Sequence, residues 1–262
     1  MNSATFLILF AVGAALVGGF LFRAIRRRAF EPDAFPTETR RTAAIGLLVA
    51  VLLLCVVSPF ASGLSGRPAE PKNISPVSAF ALHGIFLLFL VAWWALSGRK
   101  PLLDFLSIRT DRPVRLMAVG FPIAAFAWGV SLCGMIAIQW AASLLGPGNA
   151  LRPQISPIIP WIVALPVAFK VAIVVSAMVF EEAFFRSFLQ PRIGAIGATL
   201  FFTLAHGVYG QPAMLVGIFI LSSVLALTFE LYHNALPGMI AHGAFDAFEL
   251  FILIPFALKL VG

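Results

Sequence analysis

Val179-Phe180-Glu181-Glu182-Ala183-Phe184-Phe185-Arg186 puts two adjacent carboxylates and a guanidinium at the end of an otherwise apolar stretch. Residues 161–180, just before the acids, carry no charge except Lys170. About twenty such residues wound as a helix cover ~30 Å, the depth of a hydrocarbon core. The acids therefore arrive where a bare charge is expensive, and ionisable groups in that setting are functional suspects.

Runs of this kind recur. Residues 4–22, 43–60, 77–96, 116–145, 161–190, 193–207, 212–231 and 235–258 are all predominantly apolar. The 262-residue chain is 61% hydrophobic and 11% charged, against roughly 25% charged in soluble domains. The expected fold is all-α, a polytopic transmembrane helix bundle of about eight spans forming one integral domain. Within it, residues 1–160 supply N-terminal helices and 161–262 the core that carries the chemistry. The breaker cluster Gly146-Pro147-Gly148 through Pro160 divides the two. No repeat or heptad is detectable.

The net charge of +7 lies in short loops, not along one face. That excludes nucleic acid as the partner and fits positive-inside bias at a lipid bilayer. Placing 23–41 and 99–115 inside, with 63–72 and 146–160 outside, gives one consistent orientation. The N-terminus is then outside, as expected for a multi-pass protein of a bacterial cytoplasmic membrane. The basic residues follow the first run instead of preceding it, the reverse of a secretory signal. Residues 101–109 suit a short helix on the membrane surface. Cys55 and Cys133 sit inside apolar runs and read as buried packing residues.

Adjacent residues on a helix point about 100° apart, so Glu181 and Glu182 have different tasks. Glu182 and Arg186 form an i, i+4 pair that neutralises itself, which leaves Glu181 as general base. Phe202-Thr203-Leu204-Ala205-His206 and His242-Gly243-Ala244-Phe245-Asp246 each place two residues one turn apart. His206 reads as a ligand or proton shuttle. Asp246 either orients His242 or joins it in polarising a reacting carbonyl. Counted from the cytoplasmic helix ends, Glu181, His206 and His242 lie roughly 14, 20 and 11 Å deep, so one layer can hold them. Glu249 shares the His242 face as a cavity residue. Lys170 reads as snorkelling or paired, Pro191 as the stop of its helix, and His83, His233 and Glu230 as structural or interfacial.

There is no HExxH, GxSxG or GxxxxGKS/T motif, so zincin, serine hydrolase and P-loop chemistries are not indicated. His206, His242 and Glu181 can be drawn as ligands of Zn²⁺ with one open position. Spacing does not choose between a zinc-bound water and a glutamate-activated one.

At these residues the sequence resembles the CPBP family of intramembrane proteases, which includes the type II CAAX prenyl endopeptidases and the bacteriocin-immunity (Abi) proteins. Its signature of EExxxR, FxxxH and HxxxN/D is matched by Glu181, Glu182 and Arg186, by Phe202 and His206, and by His242 and Asp246. The resemblance covers about 162–256. It implies an endopeptidase, metallo- or glutamate-dependent, that cuts a membrane-tethered peptide or a prenylated protein. Glu181 would activate water, His206 assist it or bind metal, and His242 with Asp246 stabilise the oxyanion. The alternative is a non-catalytic immunity or membrane chaperone-type protein with the same fold.

Overall fold

The computed structural model describes residues 3–26, 28–30, 34–64, 75–146, 158–209 and 212–261, and every regular element among them is helical. In chain order these are α1 (Ser3–Arg26), α2 (Glu38–Leu64), α3 (Ala81–Leu96), α4 (Leu102–Phe105), α5 (Pro113–Leu144), α6 (Ile158–Ala164), α7 (Val167–Ser176), α8 (Gln190–Ala205), α9 (Pro212–Tyr232), α10 (Ala235–Phe248) and α11 (Ile254–Val261). Most of the 63–72 loop and the 147–157 breaker cluster lie outside the described residues.

Five stretches among the described residues are long and apolar enough to cross a membrane: Glu38–Val57, Pro76–Leu96, Pro113–Leu144, Ala213–Tyr232 and Ala235–Lys259. The chain is a multi-pass integral membrane protein. Of the eight expected spans, 4–22 falls within α1 and is not among these five, and two others differ, each for a local reason. The 161–190 run is not one helix, because Pro166 takes an extended ψ of 146° and opens α7 as a new element. In the 193–207 run, Gly194 has φ 85° and ψ 164° inside α8, which is only 16 residues long. Sixteen residues rise ~24 Å, short of the hydrocarbon thickness.

Gly194 also corrects the expected helix stop. Gln190 stays helical at φ −57° and ψ −43°, and the helical path runs on through Pro191 into α8. Glycine, with no Cβ, makes the break three residues later.

Between Ser176 and Gln190 the chain winds as π-helical turns, Ala177–Glu181 and Ala183–Leu189. Such turns are rare and concentrate at functional sites. Here aromatic packing holds them. The buried face of α3 is His83, Phe86, Phe89, Leu90 and Trp93, a stripe at helical spacing. It runs parallel to the π-helical segment: Phe86 stacks on Phe184 at 4.4 Å, Phe89 meets Phe188 at 5.0 Å, and Trp93 meets Phe188 at 4.7 Å. Phe20 of α1 and Phe201 of α8 close the far side at 5.5 Å. One apolar cluster thus runs from Val17 and Leu48 through Phe86 to Phe184, Phe202 and Met239, joining the first part of the chain to the second.

The outer surface is apolar as well. Leu88, Phe121 and Trp140 are 70%, 63% and 66% exposed, as lipid contact allows. Cys133 belongs to this outer face; contrary to the sequence expectation it is exposed, whereas Cys55 is buried. The expected surface helix is the single turn α4, tied down where Ser187 Oγ donates to Leu106 O at 2.6 Å.

Candidate active site

The π-helical segment carries Glu181, Glu182 and Arg186 into the core, where their exposures are 3%, 0% and 1%. Burial this complete demands partners, since a buried charge is tolerated only when paired and hydrogen-bonded. Each acid finds different ones.

Glu182 Oε2 lies 3.5 Å from Arg186 Nε, the i, i+4 pair expected from the sequence. Arg186 Nη2 donates to Ser222 Oγ of α9 at 2.9 Å, and its guanidinium stands over the Phe202 ring at 5.2 Å. The other oxygen, Oε1, lies 3.1 Å from His242 Nδ1. His242 Nε2 in turn lies 3.4 Å from Asp246 Oδ2. Gly238, His242 and Asp246 fall at successive fourth positions of α10 and so share one face. A Cβ on Gly238 would stand 3.0 Å from Glu182 Oε2, so this glycine lets the α10 backbone approach the acid.

Glu181 faces elsewhere. Its Oε2 lies 3.7 Å from His206 Nε2, and its Oε1 lies 3.0 Å from His83 Nε2 of α3. His206 closes α8, and its Nδ1–H donates to Phe202 O one turn back at 2.8 Å. That bond fixes the tautomer, since a carbonyl only accepts, and in the neutral ring it turns the Nε2 lone pair toward Glu181. Phe202 is the hub of the site, stacked on His206 at 4.6 Å and tilted against His242 at 5.7 Å. The spacing of phenylalanine and histidine by four is thus used twice, once through the ring and once through the backbone carbonyl.

All six residues singled out from the sequence lie in this cluster, but as two linked groups. Glu181 pairs with His206, and Glu182 with Arg186, His242 and Asp246. The cluster is not uniformly buried: the side chains of His206 and Asp246 are 18% and 29% exposed, against 5% for Glu181 and 3% for His242.

His83 corrects the sequence reading, which set it aside as structural. It is 7% exposed and bonded directly to Glu181. The signal was present: His83 stands three residues before Phe86 on the aromatic stripe that seats α3 against the acids. Other expectations resolve simply. Lys170 Nζ donates to Val163 O at 3.2 Å, Glu249 accepts from Trp128 Nε1 at 3.0 Å, and Glu230 accepts from Gln190 Nε2 at 2.8 Å. None of the three contacts the acids.

Of the zinc set drawn from the sequence, Glu181, His206 and His242, the third directs Nδ1 to Glu182 and Nε2 to Asp246, whereas the first two face each other. Among the described residues no three His, Cys, Asp or Glu side chains are arranged to hold a metal ion. The donors as they stand do not fit a three-ligand site.

Residues 163–248 match the family model described as type II CAAX prenyl endopeptidase Rce1-like. Over that segment the chain is similar to this family. The Rce1-like segment begins within α6, ends with α10 and takes in all six clustered motif residues; α3 and His83 lie outside it. Comparison with curated proteins and with solved structures gives no match.

Proposed function

We propose that this protein is an intramembrane endopeptidase that hydrolyses a peptide bond of a membrane-tethered substrate, a prenylated protein or peptide, with water activated by Glu181. The Rce1-like segment supports the reaction class. The observation that carries the mechanism is the 3.7 Å gap between Glu181 Oε2 and His206 Nε2. Oε2 has no hydrogen-bond partner among the described residues, and in the neutral His206 ring, with its hydrogen on Nδ1, Nε2 is an acceptor. Two acceptors at that separation suit one water that donates to both from about 2.8 Å.

The oxygen of that water attacks the carbonyl carbon while its proton passes to Glu181 Oε2. The tetrahedral oxyanion is received by Nε2–H of a doubly protonated His242, whose Nδ1–H Glu182 accepts and whose Nε2 lies toward Asp246. Arg186 balances the charge of Glu182. As the C–N bond breaks, the proton held by Glu181 goes to the leaving amine, and the carboxylate is restored. We propose also that the site opens to the cytoplasm with the N-terminus outside, on the distribution of arginines between the apolar runs.

The test is turnover of a farnesylated peptide by the protein in proteoliposomes. Glu181→Gln and His206→Ala are each expected to lower kcat by about 10²-fold or more while the protein stays folded, as loss of a general base does. Full turnover by Glu181→Gln would reject hydrolysis by this route and favour the non-catalytic reading.

A further inference from the structure

We infer that His83, contributed by α3 from outside the Rce1-like segment, is a positioning residue that determines which oxygen of Glu181 meets the water. The inference rests on the hydrolase reading above and deepens it.

A carboxylate has two equivalent oxygens, and a general base aimed at one water needs them made unequal. Glu181 Oε1 lies 3.0 Å from His83 Nε2, whereas Oε2 lies toward His206. The other nitrogen of His83 fixes the direction of that contact. Nδ1 stands 2.8 Å from Ser176 Oγ, which also lies 3.0 Å from Ile173 O. A hydroxyl has one proton, so it serves one of these acceptors at a time. With a neutral ring, Ser176 donates to Nδ1 and Nε2 carries the hydrogen. With a doubly protonated ring, Nδ1–H donates to Ser176, whose hydroxyl turns to Ile173 O. Both arrangements leave Nε2–H pointing at Glu181 Oε1. The remaining tautomer would set a lone pair against the carboxylate and is disfavoured.

The order of groups is therefore Ser176, His83, Glu181, water, His206. The aromatic stripe holds His83 in register, since Phe86 one turn on is stacked against Phe184 and fully buried. In this arrangement the first part of the chain is not a passive anchor. It supplies the group that gives Glu181 its orientation, and misplacing a reacting group by about 1 Å can cost 10²-fold in rate.

The experiment uses the full chain in proteoliposomes with the farnesylated peptide, and measures kcat and KM separately. His83→Ala is expected to lower kcat by about ten- to a hundredfold with KM unchanged. His83→Gln, which keeps an N–H donor, is expected to recover most of that loss, and added imidazole to recover part of it in His83→Ala. Ser176→Ala, which removes only the hydroxyl at Nδ1, is expected to lower kcat without moving the melting temperature, and it serves where His83→Ala does not fold. Unchanged kcat in Ser176→Ala and His83→Gln together with His83→Ala, or a loss in His83→Ala that neither glutamine nor imidazole restores, overturns the inference. Glu181→Gln run in parallel separates the two readings. If it is inactive while the His83 variants are unimpaired, only the role of His83 falls; if it is fully active, the hydrolase reading falls and takes His83 with it.

Discussion

Replacing Arg186 with methionine keeps the length of the side chain and removes its charge, and the consequence can be worked from the contacts. Glu182 is 0% exposed and Arg186 1%, with 3.5 Å between Oε2 and Nε. Breaking such a pair from one side strands a buried charge at a cost of about 3–5 kcal/mol. The cation over Phe202 at 5.2 Å adds up to about 2 kcal/mol in a desolvated setting. Against this, His242 Nδ1 remains 3.1 Å from Oε1 and offsets part of the loss. A net destabilisation of about 4 kcal/mol, or about 10 °C in a chain of this size, is expected for Arg186→Met. Glu182→Gln should cost a similar amount, because it strands the guanidinium instead. The double variant Glu182→Gln/Arg186→Met strands neither charge, so its loss should fall short of the sum of the singles by about 1–3 kcal/mol. Thermal unfolding of the four proteins in one detergent, followed by circular dichroism, measures the coupling. Single variants that melt with the parent, or a double variant whose loss equals the sum, would refute the view that these two groups neutralise each other in the core.

A Cβ at Gly238 would press on Glu182 Oε2 from 3.0 Å, so Gly238→Ala is expected to cost about 1–3 kcal/mol in stability and to lower kcat; wild-type values of both in melting and peptide-cleavage assays would contradict the placement of α10. Cys133 is exposed on the lipid-facing surface of α5 and Cys55 is buried, so a membrane-permeant maleimide should label the folded protein at Cys133 and reach Cys55 only after denaturation, read by mass spectrometry of the two peptides. Cleavage of the farnesylated peptide should persist in excess chelator, because the step proposed runs through Glu181 and water; loss on chelation and recovery with added Zn²⁺ would replace that route.

Much of the site was legible in the chain itself because its spacing is local. An i, i+4 relation is a property of the helix, so the pairing of Glu182 with Arg186, the stacking of Phe202 on His206 and the approach of His242 to Asp246 follow from residue numbers alone. Composition likewise determined an all-helical membrane protein, since no other fold accommodates so little charge in so many long apolar runs. What the numbers do not encode is which helix stands next to which. Parallel packing of α3 on the π-helical segment brings His83 to an acid 98 positions away, and the sequence reading set that histidine aside. The same packing gives Glu181 and Glu182 separate imidazoles. Whether an apolar run crosses as one helix was settled by backbone geometry at single residues, Pro166 and Gly194. Helical periodicity fixes the face a residue occupies, whereas its partners depend on interlocking rings contributed by distant segments, a long-range arrangement that only the folded chain makes.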